Sequence, residues 1–170
     1  MRVLFTSLVR PHLEYGNVIW HPYLRKNIEM IERVQHRATR MVPGLSKLSY
    51  EDRLRKMDLP TLDYRRSRGD AIEVYKYMHG VYKVDETGIL FRHHTGGAET
   101  RGHSMKLMKR ECNGQIRGNV FGFRVVNAWN SLPQEVIDAA TVNCFKGRYD
   151  RFNAKARYGI QDEAEDSLDS

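Results

Sequence analysis

The residues of this sequence best spaced to do chemistry are cations. Arg25, Lys26, Arg33, Arg37 and Arg40 recur at helical spacing along one segment, and Arg65, Arg66 and Arg68 form a second cluster. A third group, Arg101, Lys106, Lys109, Arg110, Arg117 and Arg124, is strung along a stretch interrupted by Gly102, Gly114 and Gly118. Cations gathered along one surface neutralise phosphates and release condensed counterions, which is the chemistry of backbone-directed nucleic-acid binding. Glycines in such a stretch let main-chain amides approach phosphate oxygens closely. The plainer account of the first group is a solvated helix face, with Glu29 and Glu32 at pairing distance. The plainer account of the third is a loop that happens to be basic.

The charge balance supports a polyanionic partner. Net charge is +7, yet Gln161 to Ser170 hold five acids and no base, so the rest of the chain stands at +12. The acidic end has the composition of a solvated, disordered tail.

Other chemistries find little footing. His93, His94, His103 and Cys112 could be imagined around zinc, but adjacent histidines do not easily share a tetrahedral ion and no Cys-x-x-Cys half-site exists. Cys112 and Cys144 read as two free thiols. No Gly-x-Ser-x-Gly elbow, phosphate-binding loop or His-Glu-x-x-His helix is present. No cofactor is expected. Tyr15, Trp20 and Trp129 could stack on bases, although their apolar neighbours favour core positions. Arg2 to Arg10 has a basic residue followed by apolar ones, but Thr6 and Ser7 break the run and no cleavage site follows. No apolar run nears the ~18 residues that cross a bilayer. An intracellular chain, nuclear or cytoplasmic, is expected, with no membrane partner.

The elements that must position these side chains are helical. Leu4, Phe5, Leu8 and Val9 mark a first helix that Pro11 either kinks or restarts. Val18, Ile19 and Trp20 look like a buried patch. From Leu24 to Val42, the apolar residues Leu24, Ile28, Ile31, Val34, Ala38 and Met41 fall three or four apart, and Pro43-Gly44 stops the helix. This predicts an apolar stripe turned inward and a positive flank turned outward. Ser49 and Asp52 form a capping-box variant ahead of a short helix. Thr61 caps a longer helix that ends at Gly80. Between 81 and 118 periodicity is lost, and Ser104 to Lys109 alternates weakly, as an extended strand-like arm would. Phe121, Val125, Ala128 and Trp129 share a helical face, Asn130-Ser131-Leu132-Pro133 opens another helix, and Thr141 caps a last one bearing Val142, Phe145, Tyr149 and Phe152.

Three stretches in this order carry a resemblance. Ser7 to Gly16 is followed by Trp20; Ile31 to Met41 leads through Tyr50-Glu51-Asp52-Arg53-Leu54 to Leu62 and Arg65-Arg66; and Arg101-Gly102-His103 precedes Phe123 to Pro133. Across roughly residues 4 to 153 the chain resembles the region downstream of the palm in non-LTR (LINE-type, jockey-like) retrotransposon reverse transcriptases. The resemblance implies thumb and post-thumb segments that hold template and primer. It also implies that the palm of a complete enzyme is a partner. In that parent, two adjacent aspartates bind the divalent ions that activate the attacking 3′-hydroxyl. No adjacent aspartates occur here, and Asp52, Asp63, Asp70 and Asp138 are scattered. A non-catalytic piece of an RNA-directed DNA polymerase is therefore expected, and Met1 falls where a longer polyprotein would already be under way, as in a truncated copy.

Together these readings predict a mainly α chain. A helical thumb-like bundle over 1–80 is followed by a basic glycine-interrupted arm over 81–118, a small helical subdomain over 119–155 and an acidic disordered tail over 156–170. The expected partner is RNA or DNA, foremost a hybrid duplex. The rival is a helical protein-interaction or assembly module whose positive charge is incidental; an exposed apolar stripe would favour it.

Overall fold

The computed structural model describes residues 2–82, 102–109 and 118–159. The fold is mainly α, and no strand occurs among the described residues. The chain divides into two compact units. One comprises Met1–Tyr15, Leu24–Arg65 and Asn153–Ser170; the other comprises Gly16–Tyr23 and Arg66–Phe152. The division falls inside the long helix that ends near Gly80, not after it.

The first unit begins with α1 (Arg2–Leu4), a π-helical turn (Phe5–Val9) and α2 (Arg10–Glu14). Pro11 explains the widened turn. Its ring would clash with the carbonyl four residues back and it has no N–H to donate. The preceding Arg10 N–H reaches the Phe5 carbonyl instead, one residue further than in an α-helix. Proline thus restarts the helix rather than ending it.

Helix α3 (Arg25–Arg40) and helix α4 (Tyr50–Met57) follow. The Ser49 cap is as expected: the Asp52 N–H donates to Ser49 Oγ at 3.1 Å, and the hydroxyl donates to the Asp52 carboxylate at 2.7 Å. Asp58 closes α4 with φ +46°, the left-handed cap more usual for glycine or asparagine. Its carboxylate is held by Arg2 at 3.2 Å, Arg157 at 3.0 Å and the Tyr158 hydroxyl at 3.1 Å. Phe5, Leu54, Met57 and Leu59 form the buried core, with Leu13, Ala38, Val42 and Leu45 packed against it. Leu54 is wholly buried and Leu59 nearly so, each contributing about 1.5–3 kcal/mol.

Helix α5 (Leu62–Met78) contributes Leu62 to Arg65 to the first unit and the remainder to the second. Thr61 Oγ1 accepts from the Tyr64 N–H at 3.2 Å, the expected N-cap. At the other end Gly80, with φ +64°, donates to the Tyr77 carbonyl while the Val81 N–H reaches the Lys76 carbonyl at 2.9 Å. This pair of bonds is a Schellman stop. Gly80→Ala is expected to cost about 1 kcal/mol, read as a lower urea midpoint, because alanine resists that φ. No loss would mean that the chain reverses there without the left-handed residue.

The second unit is completed by α6 (Phe121–Asn130), α7 (Gln134–Ile137) and α8 (Val142–Phe152). Thr141 Oγ1 accepts from the Cys144 N–H at 3.2 Å, again as expected. Val74, Tyr75, Trp129, Ile137 and Phe145 make its core. Tyr75 stacks on Phe145 at 4.4 Å, and its hydroxyl donates to the Ala139 carbonyl.

Residues 102–109 are not the free arm that their weak alternation suggests. His103 and Leu107 are buried. The Asn130 side-chain amide accepts from the Leu107 N–H and donates to the Leu107 carbonyl, both at 2.9 Å. One side chain thereby supplies the two bonds that a neighbouring strand would. Trp129 Nε1 donates to the Met105 carbonyl at 2.8 Å, and His103 Nε2 lies 2.9 Å from the Trp129 carbonyl.

Burial holds the His103 imidazole below its ordinary value, with Lys106 adding to the effect against the Trp129 carbonyl and Asp138. The folded ring stays neutral where the unfolded one, near 6.5, takes up a proton. Stability is therefore complete above about pH 6.5 and falls as pH drops below it, by up to ~1.4 kcal/mol per pH unit. His103→Gln is expected to flatten that acid limb in urea titrations; an unchanged limb would place the dependence elsewhere.

The patch Val18-Ile19-Trp20 departs from expectation. Ile19 is 91% exposed and Trp20 56%, and Tyr15 is also exposed. Only Trp129 of the three singled-out aromatics is a core residue.

Candidate nucleic-acid interface

Helix α3 has three faces rather than two. The face turned into the first unit is a partly polar seam. Gln35 and Thr39 are its buried residues, and Glu32 lies one turn before them. Tyr50 Oη donates to Glu32 Oε1 at 2.5 Å, and the Leu62 N–H donates to Oε2 at 3.0 Å. The carboxylate thus sits at the start of α5, where unsatisfied amides and the helix dipole favour an anion. Gln35 Nε2 donates to the Pro60 carbonyl at 3.0 Å and to Tyr50 Oη at 3.2 Å. Buried Arg53 donates to Thr39 Oγ1 at 3.2 Å and to the Leu48 carbonyl at 2.7 Å. Burial and the adjacent Glu32 push the Tyr50 phenol well up, so it remains a donor throughout the ordinary pH range.

The second face is cationic. At roughly 100° per residue, Lys26, Arg33, Arg37 and Arg40 fall within about 60° of arc and about 21 Å of helix, the rise of roughly six base pairs. All four are exposed. Among the described residues, no ion pair neutralises Arg33, Arg37 or Arg40. Glu32, the obvious candidate from spacing, faces inward. Arg25 lies off this arc, 93% exposed, with its guanidinium 3.2 Å from Glu29.

The third face is apolar and exposed. Met30 is 61% exposed and Met41 70%, and Val34 and Leu24 are also exposed. The stripe expected to turn inward is therefore only partly buried. Its Met30-Val34-Met41 side and the π-turn residues Phe5 and Val9 line a groove of about 420 Å³.

The remaining predicted cations are placed very differently. Arg65 grips Glu14 with two bonds, one from Nη2 at 2.8 Å and one from Nε. Arg68 grips Asp150 at 2.5 and 2.9 Å. Arg66 is 1% exposed. The three side chains do not share one face, because neighbours at 100° intervals on a helix point in different directions, and each meets the interior or an acid. Arg124 is also internal. It donates to both Asp70 oxygens at 2.9 and 3.0 Å and to the carbonyls of Asn17, Val18 and Asn119. Nε, Nη1 and Nη2 all donate to these acceptors, which commits the guanidinium to the interior of the second unit. Lys106 is half-buried on the docked segment, Lys109 is exposed, and Arg101, Arg110 and Arg117 lie outside the described residues, as do His93, His94, Cys112 and the acidic end.

Spacing gave no sign of His21, which lies 3.4 Å from Asp70 in a small cavity of about 150 Å³ also lined by Arg124, Trp129 and Tyr149. Among the described residues no group of three or more histidines, cysteines or carboxylates is set to hold a metal ion, Cys144 is a free thiol, and no helix is long and apolar enough to cross a membrane.

Comparison with protein-family models, with curated proteins and with solved structures finds no match.

Proposed function

We propose that this chain is a non-catalytic nucleic-acid grip that tracks a phosphate backbone with the cationic face of α3. In this reading it acts as the thumb-like part of a non-LTR retrotransposon reverse transcriptase acts beside its palm. The observation that carries the reading is the row Lys26, Arg33, Arg37 and Arg40 on one helix, for which no ion pair occurs among the described residues, with Glu32 turned away from it. Phosphate contacts of this kind position a duplex without reading its sequence. Of the other predicted cations, Arg65, Arg68 and Arg124 are engaged in ion pairs within the chain and Arg66 is buried, so the reading does not draw on them. The order of the Ser7–Gly16, Ile31–Met41 and Phe123–Pro133 motifs supports the polymerase setting. The chain has no adjacent aspartates, so the reading assigns it no bond-making step and nucleotide incorporation by this chain alone is expected to be at background.

A salt titration tests it. With about four phosphate contacts, the slope of log affinity against log salt should be about −3.6, a loss of roughly a hundredfold between 50 and 200 mM. Fluorescence anisotropy with single-stranded RNA, duplex DNA and hybrid duplex reads this directly. Arg33→Gln, Arg37→Gln and Arg40→Gln should each reduce the slope by about 1. Affinity that is flat in salt, or slopes indifferent to these substitutions, would refute the proposal.

A further inference from the structure

We infer that the apolar groove beside the cationic face is a docking site for an acidic amphipathic helix of a protein partner. The groove floor is apolar: Phe5 and Val9 on one side, Met30, Val34, Ala38 and Met41 on the other. Among the described residues no acid lines it, whereas Arg33 and Arg37 do. A complementary segment therefore carries an apolar stripe to fill the floor and carboxylates along one edge to meet the guanidinium groups.

The positions favour a helix as occupant. Met30, Val34, Arg37 and Met41 follow a spacing of four, three and four, so the rim runs parallel to the α3 axis, as helix-in-groove recognition requires. Two of the floor residues are methionines, whose unbranched side chains adapt to different apolar partners. Arginine at such a rim gives charge-assisted bonds to carboxylates without closing the floor. Charge complementarity selects the acidic occupant over a basic one, because a lysine-edged helix would meet Arg33 and Arg37 as like charges.

This inference does not rest on the duplex reading, though the two share Arg33 and Arg37, so the occupants should compete. The test uses the full chain and two labelled helical peptides of about 18 residues. Both carry the same leucine stripe; one is edged with glutamate, the other with lysine. The glutamate peptide should bind at least about tenfold tighter. The neutral double substitution Met30→Gln with Met41→Gln touches only exposed side chains. It should abolish peptide binding while leaving the salt slope of duplex binding unchanged. Arg33→Gln with Arg37→Gln should erase the preference between the two peptides. Failure of the peptides with duplex binding intact would sink this inference alone, and the converse would sink only the duplex reading. Equal affinity for both peptides would overturn it. Self-association of the chain, or capture by phosphatidylserine vesicles, would also overturn it if either is lost on Met30→Gln with Met41→Gln.

Discussion

Asp70→Asn is expected to lower the stability of the second unit by about 3–5 kcal/mol, the largest effect of any single polar substitution considered. Asp70 and Arg124 are both nearly buried, at 8% and 11% side-chain exposure, and meet through two bonds. Asparagine preserves the shape but leaves the guanidinium charge in the interior without its counter-ion, which costs far more than the intact pair contributes. Asp70 also receives Asn17 Nδ2 at 3.4 Å and lies beside His21. Removing both charges by Asp70→Asn with Arg124→Gln should recover part of the loss, since no stranded ion then remains. Both tryptophans, Trp20 and Trp129, belong to this unit. Tryptophan fluorescence in urea therefore reports its unfolding selectively. A shift worth less than about 1 kcal/mol would show that the pair is no more than a surface contact.

Glu32→Ala should cost about 2–5 kcal/mol in the first unit. It strips the acceptor from the Tyr50 hydroxyl and from the first amide of α5, and each group left buried and unsatisfied costs about 1–3 kcal/mol. Simple charge counting gives the opposite expectation, that deleting an acid between arginines is harmless and tightens duplex binding. Glu29→Ala provides the contrast. It frees exposed Arg25, so stability should hold and the salt slope should steepen by up to about 1. Equal behaviour of the two alanine variants in thermal unfolding would contradict the inward placement of Glu32.

The existence of α3 was legible from residue spacing, and so were three side-chain caps, because Ser49, Thr61 and Thr141 each act on the amide three residues away. Orientation was not. Val34, Ala38 and Met41 recur at the same three-and-four spacing as Glu32, Gln35 and Thr39, and only the location of Tyr50, Arg53 and Pro60 decides which set is buried. A glutamine and a threonine in step on one helix face were the available signal. The partners of three other arginines were hidden for a related reason. Arg65, Arg68 and Arg124 find acids 51, 82 and 54 positions away, beyond the reach of any local charge pattern. The docking of residues 102–109 likewise depends on Asn130 and Trp129, which nothing near them in sequence announces.

Hydrogen bonds specify direction in a way that oily contacts do not. A helix held only by hydrophobic packing would be free to roll about its axis and tuck Met30, Val34 and Met41 underneath. The Glu32, Gln35 and Thr39 bonds act as a spline that fixes its azimuth and keeps the sticky side outermost. Loosening that spline would hide the groove and swing the arginines aside without melting the helix, so the proposed partner recognition would vanish while circular dichroism stayed the same.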